Sequence, residues 1–73
     1  MTYEQALEYT MSAVRELLDS QAEPEDNFFE CGGSSLVAAR IVIRLQDAFG
    51  TEVDMVELLD SDSFASFCGS ISN

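Results

Sequence analysis

Apolar residues in this chain recur at three- and four-residue steps wherever a segment is long enough to show a period, with no strand alternation worth defending. A chain of 73 residues with that pattern has room for one core and few ways to build it. Tyr3, Ala6, Leu7, Met11, Val14, Leu17 and Leu18 form one stripe, and Glu4, Glu8, Ser12, Arg15 and Glu16 fill the other side. Thr2-Tyr3-Glu4-Gln5 has the form of a capping box, so the first amphipathic helix should start there. A second helix is predicted from about Ser35 to Phe49, with Ala38, Ile41, Val42, Leu45, Ala48 and Phe49 as its core face. Arg40, Arg44 and Asp47 fall opposite, and Gly50 is placed to end it as a glycine cap. A short third helix is expected around Asp54 to Leu59, with Val53, Val56, Leu58 and Leu59 as apolar contacts. The last is expected from about Ser63, showing Phe64, Phe67, Cys68 and Ile71 at helical spacing behind a cap at Ser61, Asp62 or Ser63. The pattern predicts a single all-α domain over residues 1–73, a four-helix bundle with right-handed connections and a short third helix.

A long loop joins the first two helices, from about Asp19 to Gly33. Ser20, Pro24, Asp26 and Asn27 are its turn formers, and a loop of that length needs anchors. Phe28 and Phe29 are the candidates, and at least one ring should be in the core. The loop is expected to drape over one end of the bundle. It runs out in Gly32-Gly33-Ser34-Ser35, which places a serine hydroxyl at the mouth of a helix. The first N–H groups of a helix lack intrahelical partners, and the macrodipole presents a partial positive charge there. A phosphodiester on such a serine would sit in that field. The glycines supply backbone freedom and no side chain to obstruct an approaching enzyme. For Gly-Gly-Ser alone a plainer reading stands beside this one: the glycines make a turn and Ser34 or Ser35 caps the helix.

Charge narrows the partners. Fourteen acidic residues face three arginines, a net charge of −11, so nucleic acids and anionic membranes are poor partners and neither is expected as a ligand. Basic protein surfaces are the complement, unless the charge only keeps a small protein soluble. No apolar run is long enough to span a bilayer and no charged-then-apolar leader opens the sequence, which predicts a cytoplasmic protein. Cys31 and Cys68 lack metal-ligand spacing and are expected to be reduced, small apolar fillers. Asp60-Ser61-Asp62-Ser63 starts like a calcium loop, but Phe64, Ala65 and Ile71 occupy its third oxygen, glycine and final acid positions, so no metal is expected. The absence of histidine removes the usual base of nucleophilic enzymes. Ser35 then reads as a residue acted upon, in a chain that is not itself an enzyme.

The run Asp26-Asn27-Phe28-Phe29-Glu30-Cys31-Gly32-Gly33-Ser34-Ser35-Leu36 resembles the attachment site of phosphopantetheine carrier proteins. It is most similar to the thiolation, or peptidyl carrier, domains of nonribosomal peptide synthesis, which read Asp-x-Phe-Phe-x-x-Gly-Gly-x-Ser-Leu. The likeness is gapless from Asp26 to Leu45 and weaker beyond. It implies a bundle of the acyl-carrier-protein type, with 4′-phosphopantetheine from coenzyme A attached to Ser35 by a phosphopantetheinyl transferase. The arm would hold an aminoacyl or peptidyl group as a thioester for an adenylation enzyme and a condensation, ketosynthase or thioesterase-type partner, in peptide antibiotic or related secondary metabolism.

Leu36, Ala39 and Ile43 form a second apolar strip beside the charged arc, either buried against a neighbouring helix or shown to a partner. In the carrier family this strip resembles the surface partner enzymes grip, and Arg40 and Arg44 would frame it with positive charge. Ser34 stands where thiolation domains commonly have histidine and fatty-acid or polyketide carriers aspartate, and Cys31 where leucine is frequent. Val37 and Arg40 depart from the acidic tendency of fatty-acid carriers, while Ala38-Ala39-Arg40 and Arg44-Leu45 follow the thiolation pattern. An aminoacyl or peptidyl carrier is therefore preferred over a polyketide or fatty-acid acyl carrier, with an acidic helical interaction module lacking any arm as the alternative of another class. Met1 just before the first cap, Asn73 just after the last helix and the lack of a proline- or alanine-rich linker at either end favour a free-standing carrier over a domain cut from a multienzyme chain, and a monomer is expected.

Overall fold

A computed structural model describes residues 1–72. Four helices account for its regular structure: α1 (Tyr3–Leu18), α2 (Ser35–Phe49), α3 (Met55–Asp60) and α4 (Phe64–Ile71). Each begins where a side chain can take up an orphan amide. Thr2 and Gln5 form the full capping box on α1, Ser34 caps α2, Asp54 caps α3 and Ser63 caps α4. α2 ends at Gly50 in the left-handed conformation, φ 65°, which glycine adopts without strain. The first helix ends on a left-handed residue too, but there it is Asp19.

α1 packs against both α2 and α4, and α3 bridges α2 and α4. The core between them holds Val14, Phe28, Ile41, Leu45, Leu58, Phe64 and Phe67, all essentially out of solvent. Because α1 faces two helices, its buried arc is wider than one stripe and takes in Thr10 and Ala13. Tyr3, in the first turn, remains exposed, contrary to the expected stripe, and Leu7, Leu17 and Leu18 are half-buried. The Thr10 hydroxyl is buried without a conventional hydrogen-bond partner and lies by the Cys68 thiol. Burial pushes that thiol up, against a smaller downward pull from Thr10.

The long loop lies across the start of α4. Its carbonyls at Pro24 and Asp26 accept the N–H groups of Ala65 (2.8 Å) and Phe64 (3.1 Å), two donors that the helix itself cannot satisfy. Phe28 enters the core edge-on to Phe64, with centroids 6.4 Å apart, while Phe29 stays outside. One of the two adjacent rings is thus the anchor. On the far side, Arg15 Nε donates to the Ala22 carbonyl at 3.0 Å and fastens the loop to α1.

The core face of α2 is shorter than its periodicity implied. Ala38, Ile41, Val42 and Leu45 are buried, but Ala48 is exposed and Phe49 only half-buried. The last turn of α2 reaches the edge of the core, where the half-buried Phe49 ring meets Tyr9 of α1 edge-on at 5.5 Å. Val56 of α3 is likewise exposed, whereas Val53 and Leu58 are buried. Among the described residues no helix is long and apolar enough to cross a membrane.

These placements separate two phenylalanines that sequence spacing treats alike. Phe64→Ala should cost about 3–5 kcal/mol, comparable with the whole stability of so small a domain, and leave the protein largely unfolded at room temperature. Phe49→Ala should keep a cooperative melt at a lowered temperature. Circular dichroism melts that rank the two the other way would show that the core has been drawn in the wrong place.

Candidate functional site

The turn before α2 is closed by its own backbone. Cys31 N–H donates to the Asn27 carbonyl (3.1 Å), Gly32 N–H to Phe29 (3.0 Å) and Gly33 N–H to Phe28 (3.0 Å). Gly32 has φ 91°, a region that residues with a Cβ resist. Gly33 is required for a different reason: a Cβ there would stand 2.5 Å from Cζ of Phe28. The backbone therefore lies directly on the buried ring, and the chain leaves that contact straight into the helix.

The two serines then divide two tasks. Ser34 is extended, its hydroxyl accepts from Val37 N–H (3.4 Å) and its carbonyl accepts from Ala38 N–H (2.9 Å). It is the cap. Ser35 is the first helical residue, exposed, and among the described residues its side chain forms no hydrogen bond. The N–H groups of Ser35 and Leu36 have no intrahelical acceptor, and no acidic residue occupies the first turn of α2 to offset the positive end of the helix dipole. An exposed hydroxyl, a positive helix terminus and an approach over two residues without side chains fit a phosphodiester-linked arm.

Leu36, Ala39, Arg40, Ile43 and Arg44 share one face of α2, at steps of three and four from Leu36. The strip is not covered by a neighbouring helix: Leu36 is 64% exposed and Ile43 55%. Ala39 is half-buried, and with Val42, Ile43, Val53 and Met55 it floors an open groove of about 610 Å³ between α2 and α3. Glu52, Asp54 and Glu57 stand at its rim. The two arginines are not equivalent. Arg44 is held by Glu16 of α1, Nη1 to Oε2 at 3.1 Å and Nη2 to Oε1 at 3.4 Å, and this bond raises its pKa. Arg40 is exposed and in no ion pair among the described residues, so it alone offers an uncommitted cation beside the strip.

Cys31, four residues before Ser35, is half-buried and free. Burial, then the nearby charges of Asp26 and Glu30, push its thiol up and keep it protonated at neutral pH. Two features escaped the sequence: the exposed Phe29 ring, 51% accessible, and the Asn27 side chain, which reaches across to the α3–α4 junction. Neither has a periodic signal that could have singled it out.

A family model described as a phosphopantetheine attachment site matches residues 8–71. The chain belongs to that family. Its cofactor is 4′-phosphopantetheine, and carrier domains of this kind are in general non-catalytic. The carrier domain is 42% identical over 41 residues to a dimodular nonribosomal peptide synthase of Bacillus subtilis, covering 56% of this chain and 2% of that protein. It is 40% identical over 47 residues to the phosphinothricin tripeptide synthetase PhsC of Streptomyces viridochromogenes, covering 64% of this chain and 4% of that protein. Over 27 residues, 37% of this chain, it is 59% identical to a linear gramicidin synthase of Brevibacillus parabrevis, of which it covers a share rounding to 0%. The domain thus spans only a few per cent of the relatives it resembles. No solved structure matches it significantly.

Replacing Gly33 with Ala tests the close approach on which the turn depends. The Phe28 ring is buried and cannot swing away, so the added methyl should cost about 1–3 kcal/mol by overpacking. A denaturant midpoint equal to that of the parent would show that the turn yields without cost.

Proposed function

We propose that the domain is a carrier that holds an aminoacyl or peptidyl group as a thioester during nonribosomal peptide assembly, through an arm on Ser35. The observation that carries this reading is the division of labour between the serines. Ser34 satisfies the helix end, and Ser35 keeps an exposed hydroxyl free for modification. A phosphopantetheinyl transferase would join that oxygen to the phosphopantetheine phosphorus of coenzyme A, releasing the adenosine bisphosphate portion. When bound, the arm supplies the terminal thiol that takes up the acyl group. The chain itself contributes an anchor, a positive helix end facing the phosphodiester and a recognition surface; a histidine-free sequence fits this passive role. Coenzyme A-dependent priming of this kind belongs in the cytoplasm.

The recognition surface in this reading is the face bearing Leu36, Ala39, Arg40, Ile43 and Arg44. Its exposed apolar pair and single uncommitted arginine interrupt an otherwise acidic molecule, which gives a partner with a basic rim and an apolar centre something to grip. Adenylation and condensation domains are the partners proposed for it; similarity to peptide synthetases supports partner domains of a synthetase in general.

Incubation with coenzyme A and a broad-specificity transferase should add one phosphopantetheine, visible by intact mass spectrometry, on a peptide containing Ser35. No shift with several active transferases, or a shift that survives Ser35→Ala, sinks the carrier reading. Leu36→Ala, compared with the parent after both are fully primed, should load at least about tenfold more slowly, equivalent to about 1.4 kcal/mol. Its melting temperature should barely move because the side chain is already in water. Parental loading would move the recognition site elsewhere.

A further inference from the structure

Asn27 reads in the sequence as a turn former only, yet its amide joins two distant parts of the fold. Oδ1 accepts from the N–H groups of Phe29 (2.9 Å) and Glu30 (3.2 Å). Nδ2 donates to the carbonyls of Ser61 (3.4 Å) and Asp62 (3.3 Å), 34 and 35 residues away. One half of the side chain therefore shapes the turn that leads to Ser35, and the other half holds the α3–α4 junction. The backbone continues the link: Asn27 C=O accepts from Cys31 N–H, Phe28 C=O accepts from Gly33 N–H, and the next residue is the helix cap. Aspartate could not substitute. It accepts but cannot donate, and its charge would face two carbonyl oxygens between Asp60 and Asp62.

We propose that Asn27 is a positioning residue for the Ser35 hydroxyl, its amide locking the serine-bearing turn to the α3–α4 junction. The inference rests on Ser35 as the attachment site and deepens it. In this reading a transferase docks on the exposed strip of α2, while the reacting oxygen hangs where the loop enters that helix. Loosening the loop leaves the gripped face in place and misplaces the nucleophile, so the damage falls on phosphoryl transfer more than on binding.

Two variants keep an acceptor at this position and remove the amide NH2 that reaches Ser61 and Asp62: Asn27→Ser, neutral, with a shorter side chain that carries one O–H in its place, and Asn27→Asp, charged and without a donor. Steady-state priming with coenzyme A and a broad-specificity transferase, run below the melting temperature of each variant, should show kcat lowered about tenfold with KM within about twofold of the parent. Hydrogen exchange on the unprimed proteins should show the Cys31 and Gly33 amides opening about tenfold faster in Asn27→Ser while the Leu45 amide is unchanged. Parental kcat in Asn27→Ser, a loss confined to KM, or unaltered exchange at Cys31 and Gly33 overturns the proposal. A parent that no transferase modifies overturns the attachment reading beneath it, and the exchange rates report the tether separately.

Discussion

The contact between Gly33 and the Phe28 ring is the constraint from which the rest of the site follows. Phe28 is buried against Phe64, so the ring has one place to be, and the backbone of Gly33 lies on it too closely for any side chain. That contact fixes where the long loop stops and where α2 can begin. The loop carbonyls that satisfy the first amides of α4 work in the same direction, because they pull the loop over the helix that supplies Phe64. A segment without regular structure is thereby held by two rings and a set of backbone bonds, and a serine at its end acquires a defined position.

α2 has to serve two surfaces at once, and the sequence shows how. Its inner face is limited to Ala38, Ile41, Val42 and Leu45, while Leu36 and Ile43 are left in water on another. Exposed leucine and isoleucine contribute little to a monomer's stability and favour association, which suits the recognition role proposed for this face. The surrounding acidity gives such encounters a sign. The ion pair between Arg44 and Glu16 is exposed and contributes little to stability; its effect is to withdraw one of the three arginines from that surface and leave Arg40 as the cation there.

Helix starts were the most legible feature of the sequence, because capping is local chemistry. Thr2 with Gln5, Ser34 and Ser63 act as caps where their residue types suggest, and Gly50 ends α2 in the same local way. The choice of core face was legible along α4, beginning with Phe64, and in the middle of α1 and α2. Tyr3 and Ala48 obey the apolar period and still stay exposed, and Phe49 only packs half-buried at the core's edge, since a period says which way a side chain points and not how far the packed layer extends. That one of Phe28 and Phe29 would be buried was readable; which one was not, because it depends on Phe64 more than thirty positions later. The Arg44–Glu16 and Asn27–Asp62 contacts were invisible for the same reason. They join elements whose relative placement only the assembled bundle defines.

The proposed recognition face and the proposed attachment atom are held by different parts of the molecule, and this separation accounts for the loop's density of hydrogen bonds. A helix holds its own face rigid through its internal ladder, so Leu36, Ala39 and Ile43 keep their spacing whatever the loop does. A residue at the first helical position has no such support on its N-terminal side, where the backbone amides lack intrahelical acceptors. Rigidity at Ser35 must therefore come from outside α2: from the Ser34 cap, from Gly33 on the Phe28 ring, and from Asn27 reaching to the α3–α4 junction. The residues that carry these restraints, Asn27, Gly33 and Ser34, all precede the serine in the chain, and Ser35 itself stays exposed. A site that must stay accessible to several partners and yet present one atom in one place is best braced from behind, and the long first loop is the part of this fold that does so.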